Sequence, residues 1–382
     1  MTRITIAGGA LLAALCLVIS AAPAKAATAS RSEFGKMPDG RAIEAVTLTN
    51  GHGVSVRVIS YGAAIQSVMT PDRDGKLADI VLGYPSLDGY INQPQYFGAT
   101  VGRFANRIAK GRFTIDGKSY QTPTNNGPNS LHGGLQGFDK VVWTVTGVKQ
   151  GPVASATLAY ASPDGDQGYP GTLKTTATYS LDEQDHLTID YRAKTDKPTI
   201  VNLSNHAYWN LSGEGSGSVL DDLVTIDAAE ITPVDSTLIP TGAFQSVAGT
   251  PFDFRTPKPL GQDIRDARSE QLLFGKGYDM NWVVSRTAVA APRPMASVTD
   301  PKSGRVIEVS STQPGLQFYS GNFLDGTVIG KSERTYRQSD AFVMEPQMFP
   351  DTPNHPDFGS AVLRPGKQYE NIIIFRFSTE KR

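Results

Sequence analysis

The run LKTTATYSL at residues 173–181 alternates apolar and polar side chains almost residue by residue. A segment written this way gains a single apolar face only where successive side chains project to opposite sides, as in a β-strand. The same period of two recurs at 54–60 (VSVRVIS), 154–162 (ASATLAYAS), 186–194 (HLTIDYRAK), 305–312 (RVIEVSST) and 372–378 (IIIFRFS). Between such runs stand Asn50-Gly51, Asp74-Gly75, Asp116-Gly117 and Asp164-Gly165, whose residues tolerate positive φ and so close tight turns. FTIDGKSY (113–120) reads as one small hairpin. Helical periodicity is nearly absent, and GQDIRDARSEQLL (261–273) is the best candidate for a helix. The 38 glycines and 25 prolines fit a chain of many turns. With no linker-like stretch and no fixed-period repeat, the pattern predicts an all-β fold, a large antiparallel two-sheet β-sandwich over residues 27–382 as a single domain.

Residues 1–26 are excluded from that fold. Arg3 precedes an apolar run from about Ile4 to Ile19, and Ala24-Lys25-Ala26 supplies small residues for cleavage. This is the pattern of a secretory signal peptide, which predicts a protein exported to the periplasm or secreted. The apolar run is short for a membrane span, so no membrane association is expected after cleavage. The only cysteine, Cys16, lies in this leader, so the remaining chain has neither disulfide nor thiol chemistry and relies on its core. Without the leader, 34 basic side chains face 37 acidic ones. That balance gives no electrostatic reason to expect nucleic acid or an anionic membrane as partner.

The five histidines, His52, His132, His186, His206 and His355, have no H-x-x-x-H or H-E-x-x-H spacing, so no local metal motif exists and no metal is expected. His52 and His186 read as surface residues and His355, in a Pro-rich loop, as structural. His132 closes the loop NNGPNSLHGG (125–134), where glycines allow the backbone close to a ligand. His206 ends TIVNLSNH, a strand-like run, and Tyr208 and Trp209 follow. The triplets Asn202-Leu203-Ser204 and Asn210-Leu211-Ser212 match the glycosylation pattern, but their apolar neighbours point to a buried strand. Asn106 and Arg107 make a neutral-plus-cationic donor pair. Asp279 sits beside aromatic residues, Gln317 lies on an aromatic-rich strand, and Glu345 follows the apolar AFVM. Burial raises a carboxyl pKa, one way to make a general base. Each of these residues, read alone, also has an ordinary structural role.

Nine strings together resemble one family, aldose 1-epimerase (galactose mutarotase): GRFANRIAKGRF, NGPNSLHGG, GFDKVVW, SPDGDQGYPG, VNLSNHAYWNL, PVDSTLIPTG, TPFDFR, TQPGLQFYSGNFLDG and EPQMFPDTPN, in the family's order over roughly residues 35–380. The resemblance implies the supersandwich fold. It also implies interconversion of the α and β anomers of free hexoses such as glucose and galactose, with no metal or organic cofactor. It implies Glu345 as general base and His206, protonated near neutral pH, as general acid. It further implies Asn106, Arg107, His132, Tyr208, Asp279 and Gln317 as sugar-binding residues. Trp209, Trp282 and Phe349 are candidates for packing against the apolar face of a sugar. The sequence departs from the family at Met280, where histidine is usual, which bears on the pocket near Asp279. The alternatives are a non-catalytic sugar-binding protein on the same scaffold, a glycoside hydrolase or lyase pairing Glu345 with Asp279, and a hexose-6-phosphate epimerase.

Overall fold

The computed structural model describes residues 26–380 together with Met1, Thr2 and Ile4, so nearly all of the expected leader lies outside the described residues. Among the described residues the paired strands are antiparallel; most lie in three large sheets and the rest in two-stranded ones. Thr28–Lys36, Ala42–Thr49, Ser55–Ile59, Ala64–Pro71 and Leu77–Asp79 form a five-stranded meander. A nine-stranded sheet runs in the order Thr144–Lys149, Val153–Ser162, Leu173–Asp182, His186–Thr195, Tyr369–Thr379, Arg305–Ser311, Arg293–Thr299, Leu223–Ile226, Lys258–Pro259. A six-stranded sheet has the order Tyr208–Trp209, Phe342–Gln347, Gly315–Tyr319, Asp279–Val283, Glu230–Thr232, Gln245–Ser246. The alternating runs read from the sequence coincide with strands of the first two sheets, and FTIDGKSY forms the hairpin Arg112–Ile115/Lys118–Gln121.

One apolar cluster takes side chains from all three sheets, including Val56 of the meander, Tyr179 and Phe375 of the nine-stranded sheet, and Trp282, Phe318 and Met344 of the six-stranded one. A second cluster covers the other face of the six-stranded sheet, joining Tyr208, Tyr319 and Val343 to Ile43, Ile59 and Tyr84. The six-stranded sheet is therefore buried on both faces. This is why AFVM is a continuous apolar run rather than an alternating one.

Two expectations about local structure change. The helix spans only Glu270–Gly275, while residues 261–269 make turns. There Asp266 accepts from the backbone N–H of Arg268 at 3.0 Å, and such local side-chain bonds compete with helical ones. TIVNLSNH is a broken strand, Thr199–Ile200 and Ser204–His206, interrupted where Asn202 forms an isolated parallel bridge with Phe104. Among the described residues no helix is long and apolar enough to cross a membrane.

Candidate active site

The six-stranded sheet presents alternate residues to its two faces. From Asp279–Val283, Met280 and Trp282 enter the main core, while Asp279 lines a cavity of about 220 Å³. From Gly315–Tyr319, Leu316 and Phe318 enter the core and Tyr319 lines the cavity. From Phe342–Gln347, Phe342 and Met344 enter the core and Glu345 lines the cavity. Gln317, Asn281 and Glu345 lie side by side across the three strands.

Loops and short strands complete the wall. Ser204–His206 pairs with Ala99–Val101, placing His206 opposite Ala99. The Asn205 amide donates to the Gly98 carbonyl at 2.8 Å, and Gly98 N–H donates to the His206 carbonyl at 3.1 Å. Asn106 and His132 both have positive φ, 64° and 50°. They are locked together, with Asn106 N–H donating to His132 Nδ1 at 3.1 Å and His132 N–H donating to the Asn106 carbonyl at 3.0 Å. The Asn106 side-chain oxygen accepts from Arg107 N–H at 2.8 Å, which leaves its NH2 as the free donor.

Seven of the eight residues expected to bind or react with a sugar thus line one cavity: Asn106, Arg107, His132, His206, Tyr208, Asp279 and Glu345. The eighth, Gln317, supports the lining: its Nε2 donates to Asp279 Oδ1 at 2.6 Å. Arg107 Nη2 is 3.7 Å from Asp279 Oδ2, and its Nε donates to Asn126 at 3.0 Å. His206 Nε2 stands 3.6 Å from Glu345 Oε1. Larger concavities of about 520 and 650 Å³ lie on the nine-stranded sheet and hold none of the eight. The smaller cavity is the candidate site because buried acids, bases and donors converge on it.

Burial governs the proton equilibria. It pushes the Glu345 carboxyl well above its usual range, the nearby Asp279 charge adds to the rise and Arg107 opposes it. Burial raises Asp279 too, against the pull of Arg107 and the hydrogen bond from Gln317. It drives His206 down to about 4, and it holds His132 well below the ordinary histidine value, aided by the positive charge of neighbouring groups. Burial thus works against the protonated His206 expected near neutral pH. Burial favours a neutral Glu345–His206 pair, because a neutral acid and a neutral imidazole are less costly to bury than an ion pair.

His132, His206 and Glu345 offer ligand atoms within 4.8 Å of one another, a two-histidine, one-carboxylate grouping. The donor set fits a cation poorly. His132 Nδ1 accepts the Asn106 N–H, which places the neutral ring's proton on Nε2 and leaves that nitrogen a donor.

The other histidines behave as expected. His52 is exposed beside Asp185, His186 is half-exposed on Asp182, and His355 pairs with the buried Asp351. Asn202 and Asn210 are buried and spend their amides on backbone carbonyls, so the glycosylation-like triplets are structural. Trp209, Trp282 and Phe349 do not face the cavity. All three are fully buried; Trp209 packs on Phe375 at 4.9 Å, Trp282 donates to the Phe252 carbonyl at 3.1 Å, and Phe349 packs on Phe358 at 5.3 Å. Met280 likewise points into the core, so the departure from histidine does not reshape the wall at Asp279. The aromatic lining is instead Tyr96, Tyr208, Tyr319 and Phe323. Tyr319 was within reach of the sequence, two residues beyond Gln317 on the same strand face. Tyr96 sits in a loop whose composition gives no such signal, while Asn126 lies within the flagged NNGPNSLHGG loop but was not itself singled out.

The Aldose 1-epimerase family model matches residues 44–376. The chain is 46% identical over 350 residues to galactose mutarotase of Rattus norvegicus, covering 91% of this chain and 98% of the relative. It is 37% identical over 345 residues to aldose 1-epimerase of Escherichia coli K12, covering 90% and 97%. The crystal structure of galactose 1-epimerase from Lactobacillus acidophilus superposes with a TM-score of 0.81 at 28% identity, covering 93% of this chain and 99% of that one. Kinship over nearly the whole length, together with a cavity that gathers the residues the sequence singled out, places the chain in the aldose 1-epimerase family of isomerases.

Proposed function

We propose that the protein interconverts the α and β anomers of free aldohexoses such as glucose and galactose, with Glu345 and His206 as the proton-transfer pair. The observation that carries this reading is the 3.6 Å separation of His206 Nε2 and Glu345 Oε1 in a buried polar cavity. Anomerisation needs a proton taken from one oxygen and another given to a second oxygen, and both oxygens are bonded to the same carbon. The acid and the base must therefore stand close together. Paired carboxylates that cleave glycosidic bonds stand about 5 Å or more apart.

In the forward half-reaction Glu345, as carboxylate, takes the proton of the anomeric hydroxyl. The C1–O1 bond becomes a carbonyl as the bond from C1 to the ring oxygen breaks, and protonated His206 donates to that oxygen. The open-chain aldehyde turns about C1–C2. Closure on its other face returns the proton from Glu345 to O1, and His206 recovers its own from the attacking hydroxyl. Between ring opening and closure the pair is Glu345–COOH and neutral His206, the form that burial favours. Arg107, Asn106 and Asp279, the last held by Gln317, supply donors and acceptors for sugar hydroxyls. His132, with its proton on Nε2, supplies another donor. Tyr208, Tyr319 and Phe323 give apolar surface for the C–H face of the ring.

The test is polarimetry of freshly dissolved α-D-glucose and α-D-galactose. Glu345→Gln and His206→Asn are each expected to lower kcat by about 10²–10⁴ with retained fold by circular dichroism. Wild-type rates from either variant would overturn the assignment. Binding without acceleration in the unaltered protein would make it a sugar-binding protein instead.

We further propose that the protein acts outside the cytoplasm, in the periplasm or beyond the cell, on the strength of Arg3, the apolar run and the Ala24-Lys25-Ala26 site. Fractionation with intact-mass measurement is expected to find a chain starting at Ala27 outside the cytoplasm. A cytoplasmic chain retaining residues 1–26 would contradict this.

A further inference from the structure

His206 stands without a hydrogen bond to orient its ring. Its Nδ1 is buried and unpartnered, and its Nε2 is 3.6 Å from Glu345, beyond ordinary hydrogen-bond reach. Histidines that move protons are commonly aimed by a bond to the second ring nitrogen. Here the orientation has to come from packing. Four rings surround the imidazole: Tyr208 at 5.0 Å, His132 at 5.2 Å and edge-on, Tyr96 at 5.6 Å and Tyr319 at 6.4 Å.

Three of these rings are fixed by features already described. Tyr208 and Tyr319 belong to the six-stranded sheet, and His132 is tied to Asn106. Tyr96 comes from a loop ahead of the strand Ala99–Val101. Its φ is +61°, a region an aromatic residue rarely adopts and keeps only when its surroundings impose it. Its ring also meets His132 at 4.8 Å. Lys140 Nζ sits 5.2 Å over the Tyr96 ring and pairs with the buried Asp139 carboxylate at 2.9 Å. A cation held in place over an aromatic face attracts it. Lys140 belongs to GFDKVVW, a string on which the family likeness rests, yet it does not line the cavity.

We propose that Tyr96, braced by the Lys140–Asp139 ion pair, is a positioning residue whose ring holds the His206 imidazole toward Glu345. The inference rests on the proton-transfer role of His206. It assigns to Asp139 and Lys140 a function at one remove from the cavity.

Steady-state anomerisation is to be measured for Tyr96→Leu, Tyr96→Phe and Lys140→Gln. The His206 ring C–H resonance, identified by its loss in His206→Asn, is to be followed by NMR in each. Tyr96→Leu is expected to lower kcat about tenfold with KM within about twofold, and Lys140→Gln to lower kcat about threefold, as for a misaimed proton donor. Both are expected to shift the His206 resonance. Tyr96→Phe keeps the ring and is expected to retain most of kcat with the resonance in place. Should Tyr96→Leu fold poorly, Lys140→Gln carries the same comparison from outside the cavity lining. An unmoved His206 resonance with wild-type kcat in Tyr96→Leu or Lys140→Gln overturns the proposal. So does a Tyr96→Phe variant that chiefly raises KM, which would make the hydroxyl a sugar contact. A His206→Asn variant of wild-type rate would instead remove the role on which the inference stands.

Discussion

Burial sets Glu345 and His206 to share one proton. Burial moves their affinities apart, Glu345 far up and His206 down to about 4, so a single proton stays on the pair over a wide pH range. In the proposed mechanism each of its two placements corresponds to one stage of anomerisation, so activity is expected throughout that range. Below about pH 4 a second proton reaches His206 and no base remains. Above the raised Glu345 value the last proton leaves and no acid remains. The expected kcat/KM profile is therefore a broad bell, with an acid limb near pH 4 and an alkaline limb well above the carboxylate range. An acid limb near 6.5, the value of an unperturbed histidine, would mean that burial does not control the pair. The sequence made both residues visible, because a carboxylate after AFVM and a histidine amid asparagines are unusual local environments. It did not reveal their charge state, which depends on burial by segments far apart in the chain.

At the scale of elements, the cavity walls depend on two close backbone approaches. Gly133, beside His132, has φ +93°, and a Cβ there would stand 2.0 Å from the Gly102 carbonyl oxygen. Gly98, whose N–H meets the His206 carbonyl, has φ +66°, and its Cβ would stand 1.9 Å from the Ile65 oxygen. Alanine at either position combines an unfavourable φ with a backbone clash and is expected to cost about 3 kcal/mol. Gly75, at φ +80° in open space, is the control: alanine there is expected to cost about 1 kcal/mol. Urea unfolding midpoints check both, and equal losses at Gly75 and Gly133 would refute the packing argument. The alternating strands were legible because their sheets keep one face in solvent. The strands that carry Asp279, Gln317 and Glu345 were less so, because a sheet covered on both faces loses its period of two. The same covering misdirected the choice of sugar-facing aromatics. Trp282 and Trp209 follow core positions of their strands, and only the register of the sheet reveals that.

At the scale of the whole molecule, residues 27–382 contain no cysteine, so stability rests on packing and on what is buried with it. Asp222 precedes the strand Leu223–Ile226 with a buried, unpartnered Oδ2, and burial together with the Asp300 charge raises its pKa to about 8. A carboxyl raised on folding binds its proton more tightly in the native state than in the unfolded chain. Its contribution to stability is therefore full below about pH 4 and is lost as pH climbs toward 8. Asp222→Asn is expected to leave thermal stability unchanged near pH 4 and to raise it near pH 8. A loss at pH 8 would show that the ionised carboxylate is held by partners.

The doubly covered six-stranded sheet has a consequence for how such a chain can vary. Along each of its three central strands, neighbouring residues answer to separate demands: Asp279 and Glu345 to the cavity, Gln317 to the support of Asp279, and Met280, Phe318 and Met344 to packing. Substitutions can accumulate at every second position while the intervening ones stay fixed, so drift in the core and retention of chemistry coexist within five or six residues. Methionine at position 280, where the family likeness leads us to expect histidine, sits at one of the packing positions.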